Sequence, residues 1–254
     1  MFSWALPKHL PIVVAHRGSS AAAPENTLQA FVRAIDEGAD AIELDVRLTR
    51  DNRVVVIHDS RLEGTTDGYG RVRDSVLSDL KALRAGFRSK RTALTEKIPT
   101  LGEVFDIVRG KIGVNIEIKA DRHGGRSFEI VRQCIGALNE FRASSSVLVS
   151  SFHAPYLARM KRLAPAVNTG LLYHPLIHLG RKPLPLARSI GASHIIFGRH
   201  AFRKTIVEAA HDRNLLVGVY TINAEEQLSK ALRYGIDMIY SDNPGLIVRL
   251  LQKR

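Results

Sequence analysis

The sequence is poor in cysteine, in aromatic residues and in long apolar runs, and these absences narrow the class of protein. Cys134 is the single cysteine among 254 residues, so the chain can form neither an internal disulfide nor a zinc site built from cysteines. Its neighbours in FEIVRQCIGAL are typical of a small hydrophobic residue on a helix. A lone thiol of this kind fits a reducing compartment.

No stretch of the chain approaches the length of a membrane span. The N-terminal sequence MFSWALPKHLP lacks the basic start and the continuous apolar run of a signal peptide, because Pro7 and Pro11 interrupt it. We therefore expect a soluble, cytoplasmic protein.

The chain has few acidic residues relative to basic ones, and its net charge is +12 at pH 7. Such a charge admits nucleic acid, anionic lipid surfaces or phosphorylated small molecules as partners. Lys and Arg occur along the whole chain, and Arg88, Lys90 and Arg91 of FRSKRT are candidates for a weak contact with phosphate or an anionic membrane. No zinc finger, RNP-like motif or repeated basic–aromatic pattern is present, so we expect no nucleic-acid partner.

Short apolar runs alternate with helical patterns almost to the end of the chain. Eight runs are strand candidates: 12–15, 41–46, 113–118, 147–150, 168–172, 194–197, 215–220 and 237–240. The clearest helix is TLQAFVRAIDEG, for which Asn26 is the predicted N-cap and Gly38 the stop. The alternation predicts a parallel sheet, and eight units predict a closed (β/α)₈ barrel.

An open doubly wound sheet is the alternative fold. It usually carries a glycine-rich turn after the first strand, whereas this chain has AHRGSS there and no G-x-G-x-x-G. One segment, from about residue 60 to 99, lacks a strong strand or a long amphipathic helix, although LSDLKALRAG can form a short one. We predict one domain over residues 1–254, with an inserted subdomain at about 60–99.

The second predicted strand, AIELDV, carries two carboxylates within an apolar run. Glu43 and Asp45 are two residues apart and therefore point to the same face, and Glu117 takes a matching place on the third strand. Three clustered carboxylates favour one divalent metal ion, Mg²⁺ or Ca²⁺ or else Mn²⁺, because all the ligands are oxygens. The alternative is a set of buried ion pairs, for example between Glu117 and Lys119 or Arg17.

Two histidines follow neighbouring apolar runs, at the end of the barrel where working residues are found. His16 ends the first run, and His58 ends the run at Val54–Ile57. Both are candidates for acid–base catalysis. Asp59 can orient His58 or cap the turn. Arg17 and Lys119 supply positive charge for an anion, so the set is suited to cleaving a phosphate ester.

Eight motifs in chain order resemble those of the glycerophosphodiester phosphodiesterase family. They are AHRG, PENTLQAF, IELDV, VVIHD, TTDGYGRV, IPTLGEV, NIEIK and GIDMIYSDNP, and they run from about Ile12 to Pro244. H-R-G or H-D alone carries no information. The whole series, in order and at these spacings, is strongly specific.

The resemblance implies a (β/α)₈ TIM barrel with a small insertion after the second strand. It also implies a phosphoric diester hydrolase that converts glycerophosphodiesters to an alcohol and sn-glycerol 3-phosphate with a divalent metal. Carried over by motif, the resemblance implies that Glu43, Asp45 and Glu117 bind the metal and that His16 and His58 are the acid–base pair. It also implies that Arg17 and Lys119 hold the phosphate and that Glu25 of PENT supports the site.

Two departures from the family pattern concern the substrate pocket. The family often has tryptophan in WTVN, where this chain has YTIN, so Tyr220 is predicted to contact substrate with an aromatic ring that carries a hydroxyl. Many members read R-T-T after H-D, where this chain has Gly64 before Thr65 and Thr66. The head group, the oligomeric state and the assignment of acid and base are left open.

Two other functions remain as alternatives. A lysophospholipase D-like phosphodiesterase at a membrane surface is favoured by the positive charge. A barrel that has lost catalysis and only binds phosphoesters is disfavoured, because such a protein has no chemical need for the full set of ionisable residues.

Overall fold

The computed structural model describes residues 2–4, 11–86, 96–108, 110–120 and 128–253. The strands are β1 (Ile12–Ala15), β2 (Ala41–Leu48), β3 (Val54–Val56), β4 (Gly113–Ile118), β5 (Val147–Ser151), β6 (Asn168–Tyr173), β7 (His194–Gly198), β8 (Leu216–Tyr220) and β9 (Met238–Ser241). The helices are α1 (Leu28–Asp36), α2 (Leu77–Ala82), α3 (Leu101–Val108), α4 (Glu129–Glu140), α5 (Ala154–Leu163), α6 (Pro183–Ser189), α7 (Lys204–His211), α8 (Glu225–Arg233) and α9 (Pro244–Gln252).

Eight parallel strands close into a barrel, because β1 pairs with both β2 and β9. The predicted (β/α)₈ barrel is confirmed, and each of the eight predicted strands is present within one or two residues of its expected ends. β3 instead pairs antiparallel with the end of β2. The count of eight strands omitted it because its apolar run is too short to stand as a strand without its partner.

Alternate residues of each strand face the barrel interior or the surrounding helices. The outward residues and the helices form the larger hydrophobic core. The inward residues fill the lower half of the barrel with a second apolar cluster that includes Trp4, Ile12, Leu148, Ile196 and Met238. Above this cluster, Glu43, Asp45 and Glu117 lie toward the end of the barrel where the strands finish. His194, at the start of β7, is a buried polar residue at the other end and packs against Trp4.

The start of α1 differs from the prediction. Thr27, not Asn26, is the N-cap, since the Thr27 hydroxyl accepts a hydrogen bond from the Ala30 backbone N–H at 3.3 Å. Asn26 has a left-handed backbone, with φ of 58°. Asparagine tolerates this conformation better than most residues, and the turn directs its side chain away from the helix.

The segment after β3 contains a small apolar cluster of its own. Its buried members include Leu62, Val72, Leu80 and Ile98, and the short helix α2 contributes one of them. This cluster supports the prediction of an inserted subdomain within one barrel domain, although that division stays a prediction. Residues 87–95, which include the basic cluster Arg88, Lys90 and Arg91, lie outside the described residues.

Cys134 lies on α4 as predicted and is fully buried. Burial raises the pKa of its thiol to about 12, so it behaves as a small hydrophobic residue. Among the helices of the described ranges, none has the length and apolarity that crossing a bilayer requires.

Candidate active site

The motif His16-Arg17-Gly18 turns the chain sharply at the end of β1. Arg17 and Gly18 both have left-handed backbones, with φ of 58° and 80°. A Cβ on residue 18 would lie 2.6 Å from the backbone carbon of Ala30, so only glycine permits this approach to α1. The turn aims the Arg17 backbone N–H at Glu43 Oε2, 2.8 Å away.

The motif PENT serves three separate contacts. Glu25 accepts a hydrogen bond from Arg17 Nη1 at 3.0 Å. Asn26 holds Asp45 at two points, since its Nδ2 donates to Asp45 Oδ2 at 2.9 Å and its Oδ1 accepts from the Asp45 backbone N–H at 3.1 Å. Thr27 caps α1. One tetrapeptide therefore fixes a cation, fixes a carboxylate and begins a helix.

Glu43, Asp45 and Glu117 form a buried carboxylate cluster at the upper end of β2 and β4. The parallel register places Asp45 opposite Glu117. One oxygen from each residue lies within 4.8 Å of the other two, and all three side chains are buried. Three carboxylate oxygens at this spacing are the donor set of a hard divalent cation.

Two cations lie against the cluster. Lys119 Nζ is 2.6 Å from Glu117 Oε1 and 3.0 Å from Asp45 Oδ1. Arg17 Nε is 3.3 Å from Asp45 Oδ2. Burial would lower the pKa of Lys119, but Asp45 and Glu117 outweigh it and raise that pKa. The predicted ion pair of Glu117 with Lys119 is therefore present.

The carboxylates nevertheless outnumber the nearby cations. Burial, followed by repulsion from Asp45, raises the pKa of Glu43 to about 8 and raises the pKa of Glu117 as well. Burial also acts to raise the pKa of Asp45, but Lys119 and Arg17 hold it below its usual range. Two of the three acids thus lack enough positive charge to ionise readily, and the cluster fits one further cation.

His16 is held from β9, the neighbour of β1 on the side away from β2. Its Nδ1 lies 2.8 Å from Asp242 Oδ1, on the loop after β9. Asn223, on the loop after β8, donates from Nδ2 to Asp242 Oδ2 at 2.9 Å. Burial acts to lower the pKa of His16, but the bond to Asp242 and the charge of Glu43 raise it above its ordinary value.

His58 is held by its chain neighbour. Its Nδ1 lies 2.8 Å from Asp59 Oδ1. Its carbonyl oxygen accepts two hydrogen bonds from the Arg47 guanidinium, at 2.9 and 2.7 Å. Burial lowers the pKa of His58; the charge of Asp45 opposes this, and Lys119 and Arg17 add to it. The pKa of His16 is therefore shifted upward and the pKa of His58 downward from the same ordinary value.

One cavity of about 230 Å³ joins these groups. Its polar lining is His16, Arg17, Glu43, His58, Glu117 and Lys119, with Asn115 and Ser150. Its apolar wall includes Tyr220, which contacts Phe152 edge to face with ring centroids 6.5 Å apart. Burial raises the pKa of the Tyr220 hydroxyl to about 12, so it stays protonated.

The structure brings together all the residues singled out from the sequence. Seven of them line the cavity: the two histidines, Arg17, Lys119, Glu43, Glu117 and Tyr220. The other three, Asp45, Glu25 and Asp59, bond to those that do.

Four further residues that support the site were not singled out. They are Asn26, Arg47, Asn223 and Asp242. A signal existed for three of them, since Asn26 belongs to PENT and Asn223 and Asp242 follow predicted strands. Arg47 had no such signal.

Comparisons with known proteins agree on one family. Residues 16–246 match the glycerophosphoryl diester phosphodiesterase family. The chain is 36% identical over 249 residues to a glycerophosphodiester phosphodiesterase of Caldanaerobacter subterraneus, covering 95% of this chain and 98% of that one. It is 35% identical over 247 residues to a glycerophosphodiester phosphodiesterase of Bacillus altitudinis, with coverage of 95% and 98%.

Among solved structures, the chain is similar to a phosphodiesterase of Oleispira antarctica, described in complex with the product sn-glycerol-3-phosphate. The TM-score is 0.85 at 29% sequence identity, over 96% of this chain and 97% of the other.

Proposed function

As a member of the glycerophosphoryl diester phosphodiesterase family, the chain is a phosphoric diester hydrolase, and we propose that it cleaves glycerophosphodiesters to an alcohol and sn-glycerol 3-phosphate by metal-dependent acid–base catalysis. The observation that carries this proposal is the single cavity in which two histidines, two cations and a carboxylate cluster meet. The product bound by the Oleispira antarctica relative supports the same choice of substrate.

Glu43, Asp45 and Glu117 would hold one divalent metal ion, Mg²⁺ or Ca²⁺ or else Mn²⁺, because their donor atoms are all oxygens. When bound, such an ion neutralises charge on the phosphate oxygens as it develops. Asn26 fixes the orientation of Asp45, and the Arg17 backbone N–H fixes Glu43. These contacts hold the cluster in shape before any ligand arrives.

Arg17 and Lys119 bind the phosphate. Each already lies against the carboxylate cluster, so a phosphate that enters the cavity beside the cluster meets both cations. The Arg17 guanidinium offers several donors in one plane, which suits two phosphate oxygens, whereas the Lys119 ammonium acts as a compact charge. Tyr220 and Phe152 form the wall against which the glycerol or alcohol group packs.

His16 and His58 transfer the protons. Their Nδ1 atoms are engaged by Asp242 and Asp59, which leaves Nε2 of each ring for the reaction. The raised pKa of His16 favours the protonated form, which can donate to the leaving alkoxide, and the lowered pKa of His58 favours the neutral form, which can accept a proton. The nucleophile is either the adjacent glycerol hydroxyl, giving a cyclic phosphate that water then opens, or water itself.

The test is release of sn-glycerol 3-phosphate from glycerophosphocholine and glycerophosphoethanolamine. Metal-stripped protein is assayed with Mg²⁺, Ca²⁺ or Mn²⁺ added back, and ion binding is measured by calorimetry. We expect one ion to restore activity and Glu43→Gln to weaken both binding and turnover. The exposed Glu208→Gln on α7 is the matched control.

His16→Ala and His58→Ala should each lower turnover by about 10²-fold or more, whereas the exposed His200→Ala should not. Near-normal turnover in both cavity variants would overturn the acid–base assignment. Failure of the wild-type protein to cleave these substrates or lysophospholipids with any ion would favour the barrel that only binds phosphoesters.

A further inference from the structure

The net positive charge of the chain is concentrated in one part of it, because acidic residues are absent there. Residues 141–207 contain ten Lys and Arg residues and no Asp or Glu. This stretch forms β5, β6 and β7 with the helices between them, and these strands are neighbours in the barrel. The excess charge therefore lies on one side of the molecule, and it includes the loops at the catalytic end of those strands.

The loop that follows β6, residues 174–182, carries exposed aliphatic side chains within this basic side. Leu179 is 88% exposed and Leu176 is 80% exposed, the two highest values for a large hydrophobic residue in the described ranges. Ile177 between them is 45% exposed. Single exposed hydrophobic residues are common, but three within four positions on an otherwise basic surface mark a contact site.

The loop is held firmly from beneath. His178 is buried, and its ring stacks on Tyr173 with centroids 5.1 Å apart. Its Nε2 lies 3.0 Å from the Phe152 carbonyl oxygen, and its Nδ1 lies 2.9 Å from the His174 carbonyl oxygen. The Tyr173 hydroxyl donates to the Arg181 carbonyl oxygen at 2.8 Å. The His178 ring therefore points inward, whereas Leu176, Ile177 and Leu179 are exposed.

The loop lies at the mouth of the active-site cavity. Leu172, two residues before the loop begins, lines the cavity, and so does Phe152, whose carbonyl oxygen anchors His178. Arg181 and Lys182 end the loop and are exposed, as are Arg199 and Arg203 after β7. An apolar tip is thus flanked by cations on the face through which substrate enters.

We propose that this loop docks the catalytic face onto an anionic phospholipid surface. Leu176, Ile177 and Leu179 enter the boundary between head groups and acyl chains, which removes their side chains from water. Arg181 and Lys182, with the basic residues after β7, meet the lipid phosphates. The inference goes beyond the hydrolysis proposed above, because it assigns the protein a place of action and rests on no residue of the carboxylate cluster or the histidine pair.

Two other occupants fit the surface less well. A second copy of the chain, docked through the same loop, would bring two strongly basic sides together, and like charges repel. A nucleic acid would meet the cations but leave the three aliphatic side chains in water, since its backbone offers no apolar partner.

The test is sedimentation of the protein with vesicles, either of phosphatidylglycerol and phosphatidylcholine in equal parts or of phosphatidylcholine alone. We expect binding to the anionic vesicles that weakens as salt rises. Leu176→Ser and Leu179→Ser should each reduce binding by about tenfold or more. Arg181→Gln and Lys182→Gln should each reduce it by about fivefold on the anionic vesicles only.

Leu163→Ser is the matched control. Leu163 is 44% exposed and ends α5, so it lies at the opposite end of the barrel. It should leave vesicle binding unchanged. The variant that combines Leu176→Ser and Leu179→Ser, the double leucine variant, should hydrolyse water-soluble glycerophosphocholine as fast as the wild-type protein. A failure of docking can therefore be distinguished from a failure of catalysis.

Vesicle binding that survives in the double leucine variant would overturn the proposal, as would wild-type protein that ignores anionic vesicles. A wild-type dimer that the leucine substitutions convert to a monomer, measured by light scattering, would assign the loop to self-association instead.

Discussion

Asp242 and Asp59 perform the same task for two histidines in different surroundings. Asp242 follows β9, the neighbour of β1, and is itself bonded by Asn223, whereas Asp59 is more exposed and adjoins His58 in the chain. Burial acts to lower the pKa of His16, but the hydrogen bond to Asp242, together with the charges of Glu43 and Asp242, raises it above its ordinary value. Asp242 is thus a positioning residue that also sets a protonation state.

Replacing Asp242 with Asn should shift the pH–rate profile in one direction. Asn keeps the shape of the side chain but removes the charge, so the pKa of His16 falls. In the proposed mechanism His16 must be protonated to donate, so activity at high pH should be lost at a lower pH than in the wild-type protein.

The measurement is kcat/KM across pH for Asp242→Asn, with the exposed Asp212→Asn as control. Asp59→Asn should instead move the acidic limb of the profile to lower pH, because the bond to Asp59 raises the pKa of His58, the proposed base. An alkaline limb that stays in place or moves upward in Asp242→Asn would contradict the assignment of His16 as acid.

At the scale of elements, the short 3-10 turn at Leu62–Gly64 connects the inserted segment to the active site. A Cβ on residue 64 would lie 2.1 Å from Asp59 Oδ2. The departure from R-T-T noted in the sequence therefore has a local consequence, because a side chain at this position would occupy the space that the Asp59 carboxylate fills.

Gly64→Ala should displace the Asp59 carboxylate from His58 Nδ1 without unfolding the protein. The atom it meets is the end of a flexible side chain, so the free energy of unfolding should change by less than about 1 kcal/mol. Turnover should fall by about tenfold, as for loss of a group that orients a catalytic side chain.

A double-mutant cycle measures this coupling. Gly64→Ala, Asp59→Ala and the double variant should all lose turnover by the same factor, because the second change removes a contact that the first has already broken. Gly136→Ala on α4, where a Cβ would meet nothing within 4 Å and φ is not positive, is the control for a glycine-to-alanine change away from the site. Additive losses would show that Gly64 acts by another route.

At the scale of the whole molecule, Trp4 packs inside the end of the barrel where the strands begin. Trp4 is fully buried, and its Nε1 donates to the Ser146 carbonyl oxygen at 2.8 Å. Its own carbonyl oxygen lies 3.2 Å from His194 Nε2, and His194 Nδ1 lies 2.8 Å from the Ser193 hydroxyl. Neutral His194 therefore has partners for both ring nitrogens.

Burial lowers the pKa of His194 to about 4, although its bond to Trp4 opposes the shift. Since the folded-state pKa is depressed, this group contributes stability that is present above its ordinary value of 6.5 and is lost as pH falls toward 4. The loss should amount to about 3 kcal/mol over that window.

Urea unfolding of wild type and His194→Gln across this pH range tests the expectation. The variant loses the hydrogen bonds of the buried His194 ring, so its free energy of unfolding should be lower at pH 7. It also has no titrating ring at this position, so its free energy of unfolding should fall less steeply as the pH is lowered. The difference between the two proteins should therefore shrink by about 3 kcal/mol between pH 6.5 and pH 4. His200→Gln, an exposed histidine, should keep the wild-type slope. If the free energies of unfolding of the wild type and His194→Gln changed in parallel with pH, the lowered pKa of His194 would be refuted.

The sequence alone determined the barrel and most of the site, because the signals involved are local. The apolar run of a strand can be recognised within four to six residues of the sequence. Glu43 and Asp45 share a face because they are two residues apart on one strand. The ends of helices were harder to predict from the sequence. Asn26 and Thr27 are both residue types that favour the N-cap position, and only the fold directs the Asn26 side chain to Asp45 and leaves Thr27 as the cap.

Contacts between distant parts of the chain were decided by the tertiary structure alone. His16 meets Asp242 only because β1 pairs with β9 and closes the barrel. Glu117 faces Asp45 because of the register between β2 and β4. The exposure of Leu176 and Leu179 likewise follows from how His178 anchors their loop. Such partners depend on strand register and barrel closure, which join residues far apart in the chain, and no local pattern of residues encodes them.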